Sequence, residues 1–272
     1  MIITFLGGGK MARALIAGLK SIPNKGVIQV IEPEEQIRIS LKEDFNISTL
    51  DENVDIQYKN FIPDSDILIL SIKPQIFSAI SNNFRDYISE HQTILSIMAG
   101  INISTINESL NSKKIIRIMP NTPVQIKAGM SMWTSSKYVD QKSKIFCRIL
   151  LESIGNEIYT SDENHLDIAT AISGSGPAYV FLMIESLVES GIKLGLKSEI
   201  ALKLATQTVF GAGKLALCSE ETPKQLRKNV TSPGGTTEAG VNSMLRSGLD
   251  QSIVEGVKAA FEKSIELGVS KN

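Results

Sequence analysis

Short, nearly unbroken apolar runs recur through the first half of the chain: "IITFL" at 2–6, "VIQVI" at 27–31, "DILILSI" at 66–72, "TILSIM" at 93–98 and "KIIRIM" at 114–119. A strand with one solvated face alternates apolar and polar residues, whereas a parallel strand covered on both faces does not. Helical patterns lie between the runs, beginning near Lys10, Glu34, Gln75 and Ser104. This alternation predicts an α/β fold, a doubly wound parallel sheet with helices on both faces. "GMSMW" (129–133) reads as a further strand, followed by a helix from about Asp140 to Glu152.

After "NEIYTSDENH" the pattern changes, and from Leu166 onward it is helical with no strand predicted. "SGPAYVFLMIESLVESGIKLGL" is apolar all round and ends at Gly191 or Gly195. A second helix is expected from Ser198, read as its N-cap, through "EIALKLATQTVFGAGKLAL". A helix apolar on every face needs cover on every face. A short C-terminal domain cannot supply that alone, so a partner subunit is expected to complete it. The boundary is placed near residue 160, giving domains 1–160 and 161–272.

Hydrophobic residues make up 42% and charged residues 21% of the chain, with a net charge of −1. That is the composition of a soluble globular protein, with no electrostatic case for nucleic acid or an anionic membrane. Cys147 and Cys218 have no CxxC partner and read as small buried hydrophobes in a reducing compartment. His91 and His165 lack ligand spacing, so no metal is expected. No apolar run reaches the roughly 18 residues of a membrane span; the most apolar, "YVFLMIESLV", is interrupted by Glu185. No basic segment precedes the first strand, so no signal peptide is expected and the location is read as cytoplasmic.

"FLGGGKMARALIAGL" puts Gly7, Gly9 and Ala12 in a G-x-G-x-x-A pattern directly after a strand and at the start of a helix. Such glycines let backbone approach a pyrophosphate, and the helix N-terminus supplies amides to it. Gly7, Gly9, Lys10, Met11 and Ala12 are therefore candidate dinucleotide contacts, the competing reading being a structural glycine turn. The second strand ends at Glu32, where an acidic residue usually bonds the adenosine ribose and repels the extra phosphate of NADP. No arginine adjoins it, Arg38 being a helical turn or more away. "SIKPQ" contributes Ser71, Ile72, Lys73 and Pro74, "SIMAG" contributes Ile97, Met98 and Ala99, and "MPNTP" contributes Asn121. Each can be only a turn; together, at the carboxyl ends of strands, they outline a nicotinamide and substrate rim.

These motifs, with "ISGSGPAY" (172–179) and "VTSPGGTTEAG" (230–240), stand in the order expected of pyrroline-5-carboxylate reductase, which the whole chain resembles over about residues 1–268. The resemblance implies a Rossmann domain followed by an all-α dimerisation domain, in a homodimer at least and possibly a ring of dimers. It implies hydride transfer from NADPH or NADH to the C=N carbon of 1-pyrroline-5-carboxylate, giving L-proline. It also implies a grip on the substrate carboxylate by Ser232, Gly234, Gly235, Thr236 and Thr237, with the Thr237 hydroxyl bonded to the ring nitrogen as the catalytic group. Asn229 matches a cofactor position and Glu163 a position near bound proline.

On physical grounds, an imine that arrives partly protonated needs a positioned donor more than a strong acid. The amides of residues 234–237, at the start of a helix, can converge on an anion. The alternative is a capping loop with Thr236 or Thr237 as N-cap. Two departures from the family stand out. Thr222 replaces a histidine common before the proline of "EETP", and Tyr58 replaces an asparagine expected upstream of "DSDILIL", with Asn60 close by. A 3-hydroxyacid dehydrogenase would need an acid/base lysine, and Lys193 and Lys214 lie in no glycine-rich motif. A reductase of another cyclic imine and a non-catalytic dinucleotide sensor also remain.

The acidic end of the second strand predicts activity with both coenzymes and comparatively good use of NADH. The two kcat/KM values test it: a preference for NADPH above roughly a hundredfold, about 2.7 kcal/mol of transition-state binding, overturns that reading of Glu32.

Overall fold

A computed structural model describes residues 1–23, 26–50 and 53–268. Among the described residues, eight strands form one sheet: β1 (Ile2–Leu6), β2 (Val27–Ile31), β3 (Ser48–Thr49), β4 (Ile67–Leu70), β5 (Thr93–Ser96), β6 (Ile115–Met119), β7 (Gly129–Ser135) and β8 (Gly155–Tyr159). Their order is β3-β2-β1-β4-β5-β6-β7-β8. All neighbours are parallel except β6 and β7. Six helices are threaded between the strands or follow them: α1 (Lys10–Ser21), α2 (Glu35–Phe45), α3 (Val54–Phe61), α4 (Pro74–Phe84), α5 (Ile103–Leu110) and α6 (Gln141–Glu152). The rest is helical: α7 (His165–Ala169), a π turn at Thr170–Gly174, α8 (Gly176–Lys193), α9 (Ser198–Cys218), α10 (Pro223–Asn229), α11 (Thr236–Arg246) and α12 (Leu249–Gly268).

The pleat explains the unbroken apolar runs. Ile3, Phe5, Ile67 and Ile69 pack with Leu15 and Leu19 of α1 and Leu150 of α6 on one face. Leu6, Leu68 and Leu70 pack with Phe77 of α4 and Leu110 of α5 on the other. Both sets of side chains are inside, so β4 is apolar throughout and the few polar residues within β1, β2 and β6 (Thr4, Gln29, Arg117) are held by hydrogen bonds or ion pairs.

The chain forms two compact units, one of Met1–Ser175 with the chain from Ala260 onward, the other of Gly176–Ala259. In the second, α8 has no buried residue and α9 only Ala201 and Ala205. Leu182, Phe210 and Val254 are each more than 60% exposed. The helix expected to be apolar all round is therefore uncovered within one chain.

Several expectations need correction. β3, β8 and α3 were not anticipated: β3 is two residues long, β8 is a polar, mostly exposed edge strand, and α3 is rich in polar residues. Lys197, not Ser198, is the N-cap of α9, and no side chain caps that helix. Cys147 is buried, its thiol pushed well up by desolvation, but Cys218 is exposed at the end of α9. The helical stretch His165–Lys193 is, by length and composition alone, apolar enough to cross a membrane. This is an average over a long helix, and Glu185 still interrupts its apolar run.

The first unit is tied to the end of the chain by a buried charge. Arg117 of β6 is 2% exposed. It donates from Nη1 to Glu163 Oε1 at 3.2 Å and from Nη2 to Asp167 Oδ1 of α7 at 2.8 Å. Glu163 Oε1 also accepts the Ile103 amide at 2.7 Å, and Asp167 Oδ1 accepts the Ser264 hydroxyl of α12 at 2.9 Å. Beside this network the backbones of Gly100 and Gly268 touch: a Cβ on Gly268 would stand 2.3 Å from the Gly100 carbonyl oxygen. Only glycine permits that approach.

Replacing Arg117 with Met leaves two carboxylates without their buried countercharge and is expected to cost on the order of 3–5 kcal/mol; Ser264→Ala is expected to cost about 1 kcal/mol. Urea unfolding at fixed protein concentration measures both. At the N-terminus of α6, Asp140 accepts the Ser143 amide at 2.8 Å, which holds its carboxyl below the usual range. Its contribution is present above the unfolded pKa and is lost as pH falls through the depressed folded one. Asp140→Ala is expected to cost about 1 kcal/mol at neutral pH and progressively less in acid, read from unfolding curves at several pH values.

Candidate active site

Because the strands are parallel and in register, their carboxyl ends share one edge: Leu6 pairs with Ile31 and Leu70, and Leu70 with Ser96. The order reverses at β1, whose neighbours are β2 and β4, and ligands in such sheets bind outside the strand ends at that switch point. Most of the expected cofactor residues lie along this edge.

Gly7 has φ +98°, and a Cβ there would lie 2.9 Å from the Ser71 carbonyl oxygen. Its amide donates to Ile31 O, which turns the chain from β1 toward α1. The Ser71 hydroxyl donates toward Leu6 O at 3.0 Å and Gly7 O at 2.8 Å, pinning the turn from β4. Gly9 is the N-cap of α1; no side chain caps that helix and its first turn has no acidic residue. A Cβ on Gly9 would meet nothing within 4 Å. Open space over uncapped amides, with exposed Lys10 beside them and Ala12 buried beneath, fits a pyrophosphate. Met11 packs against the core beside Ala12.

Lys73 is the exposed N-cap of α4, Pro74 its first residue, and Ile72 packs against Gly7. Ile97 and Ala99 are half-buried and Met98 is buried. Asn121 follows β6 and spends its side-chain oxygen on the Met130 amide at 2.8 Å, fixing the rim at its far end.

Glu32 is placed differently from expectation. It is 7% exposed, and both carboxylate oxygens accept backbone amides: Oε2 from Gly8 at 2.8 Å and Oε1 from Glu34 at 3.0 Å. Its own amide donates to Gln57 Oε1 of α3 at 3.0 Å. Arg38, far in helical count, folds back to donate from Nη1 to the carbonyls of Glu32 at 2.9 Å and Pro33 at 2.7 Å. Tyr58 is 2% exposed and packs at a tilt against Phe84, its phenol pushed up to about 12 by burial and then by Asp55. It lies in the core, while Asn60 is exposed. Gln57, which no sequence signal marked, is the polar side chain of α3 that reaches the strand end.

Glu163 is likewise committed, to Arg117 and the Ile103 amide. In the helical unit, Asn229 bonds within its own neighbourhood, from Nδ2 to both Glu221 oxygens at 3.1 and 3.0 Å and from Gln225 Nε2 to its Oδ1 at 2.8 Å.

The loop before α11 corrects the picture of four convergent amides. Gly235 donates to Ser232 O at 3.0 Å, closing a turn, and Gly234 donates to Glu238 Oε2 at 2.8 Å. Gly235 is the N-cap and has no side chain to cap with, so Thr236 and Thr237, the first two residues of α11, are left with uncapped amides. Ser232, Thr236 and Thr237 are exposed. The amides left without a capping side chain at this helix start are thus those of Thr236 and Thr237, with hydroxyls nearby, whereas those of the two glycines are engaged.

Comparison with known proteins agrees with this organisation. A family model for pyrroline-5-carboxylate reductase dimerisation matches residues 163–267, and one for NADP oxidoreductase, coenzyme F420-dependent, matches residues 2–100. The chain is 35% identical to pyrroline-5-carboxylate reductase of Pseudomonas aeruginosa, with 97% of this chain and 96% of that one covered. It is 36% identical to that of Synechocystis, with 97% of each covered. A crystal structure of the Plasmodium falciparum enzyme with NADP bound superposes with a TM-score of 0.87 at 31% identity, over 98% of each chain. A Coxiella burnetii structure does so with 0.86 at 33%, again over 98% of each. The match to a dimerisation domain accounts for the uncovered faces of α8 and α9. An uncapped glycine turn at the sheet edge, a helical unit built for a partner and likeness along the whole length converge: the chain belongs to the pyrroline-5-carboxylate reductase family.

Proposed function

We infer that this chain reduces 1-pyrroline-5-carboxylate to L-proline, taking hydride from a reduced nicotinamide dinucleotide. The observation that carries the reading is the pair of uncapped helix starts, at Gly9 over open space and at Gly235 in "SPGGTT", within a chain similar throughout to reductases of this name. Gly7, Gly9, Lys10, Met11 and Ala12 hold the pyrophosphate. Ser71 to Pro74, Ile97 to Ala99 and Asn121 border the nicotinamide. Residues 1–160 serve the coenzyme, and 161–272 the substrate and the partner, residues 269–272 lying outside the described structure.

The dinucleotide supplies the hydride, which goes to the imine carbon. The ring nitrogen takes a proton, so the C=N double bond becomes the C–N bond of proline. The amides of Thr236 and Thr237, with the Ser232 hydroxyl, receive the carboxylate, and the Thr237 hydroxyl donates to the nitrogen. Gly234 and Gly235 shape the turn. The assembly is a homodimer at least, possibly a ring of dimers; the apolar faces of His165–Lys193 serve a partner subunit rather than lipid. The enzyme works in the cytoplasm, with no nucleic-acid or membrane partner.

Thr237→Ala is expected to lower kcat about a hundredfold, the scale of a lost transition-state donor, with little change in coenzyme affinity; Thr237→Ser is expected to recover most of it. Oxidation of NADH and NADPH is followed with 1-pyrroline-5-carboxylate, a six-membered imine and a 3-oxoacid. Faster turnover of either alternative, or wild-type kcat in the alanine variant, removes the assignment.

A further inference from the structure

We propose that coenzyme discrimination at the end of β2 is divided between two glutamates: Glu32 is a positioning residue that braces the glycine turn, and Glu34 is the carboxylate that meets the adenosine ribose. This rests on the coenzyme reading above and changes which residue carries the preference.

The adenosine ribose of a dinucleotide lies beyond the carboxyl end of the second strand. Glu32 stands there, but its carboxylate is buried and bridges the amides of Gly8 and Glu34. It therefore fixes the distance between the phosphate-binding turn and the start of α2. Three further contacts keep it there: Gln57 Oε1 on its amide and Arg38 Nη1 on the carbonyls of Glu32 and Pro33.

Glu34 is the opposite case. It is the N-cap of α2 yet its side chain makes no capping bond, and it is exposed. Its amide is the one Glu32 holds, so its place relative to Gly8 is set by a single bridging carboxylate. Glu35 is also exposed but lies one residue into the helix, outside that bridge.

The arginines of this neighbourhood are engaged elsewhere. Arg38 is buried against two carbonyls, and Arg13 is paired with Asp44 and bonded to Ser40. A 2′-phosphate would meet Glu34 without a spare guanidinium, whereas two ribose hydroxyls can donate to it. Discrimination by repulsion of the competitor needs only that one exposed charge.

The test is direct binding of NADH and NADPH, by calorimetry, to wild type and to Glu32→Gln, Glu34→Gln and Glu35→Gln, with amide exchange of the segment containing Gly8. Glu34→Gln is expected to shift the ratio of the two dissociation constants toward NADPH by about tenfold, leaving Gly8 exchange unchanged. Glu32→Gln is expected to weaken both coenzymes to a similar extent and speed Gly8 exchange. A ratio moved mainly by Glu32→Gln or Glu35→Gln overturns the proposal. So does Glu34→Gln with the wild-type ratio, and that variant, at an exposed position, is expected to fold. A wild type that itself prefers NADPH defeats the expected NADH preference alone; the division between the glutamates is decided by which variant moves the ratio.

Discussion

A sheet covered on both faces leaves polar chemistry little room away from the strand ends, a buried charge such as Arg117 being held only by its two carboxylates, and much of this molecule follows from that constraint. Both faces of β1 and β4 are apolar and buried, so the turns after Leu6, Ile31, Leu70, Ser96 and Met119 collect the glycines, hydroxyls and amides. The first of these turns is held from three directions: by Ile31 O on the Gly7 amide, by the Ser71 hydroxyl, and by the Glu32 carboxylate on Gly8. What faces outward is backbone, already positioned and short of partners, which suits a phosphate better than a flexible side chain would.

The same economy recurs at the loop before α11, by different means. There the turn satisfies itself, Gly235 on Ser232 and Gly234 on Glu238, and two threonine amides remain. The two places thus differ in what braces them: the sheet-edge turn relies on side chains distant in sequence, the helical-unit loop on residues within a few positions.

That difference sets what could be read from the residues. Strand runs, the glycine pattern, the helical second half and the need for a partner surface were legible, because each is periodic or local. The roles of Glu32 and Glu163 were not. Their positions suggested ligand contact, but their carboxylates are drawn to Gly8, Ile103 and Arg117, whose proximity only the fold creates. Gln57 and Ser264 carried no motif at all, and Arg117 stood within the "KIIRIM" run with no role marked, since a buried polar side chain declares itself only through partners far along the chain. Cys218 misled for a related reason: an apolar helical context does not tell which of its faces the fold buries.

The first compact unit is discontinuous, closing only with the residues from Ala260 onward. Ser264 and Gly268, which seal it against Asp167 and Gly100, follow the whole of the second unit in the chain. A ribosome releasing this chain from its N-terminus therefore delivers every strand of the sheet long before the pieces that finish its edge. The nucleotide-binding half is therefore closed only after the intervening unit has been made, and a nascent chain must hold its sheet together while Gly176–Ala259 is synthesised.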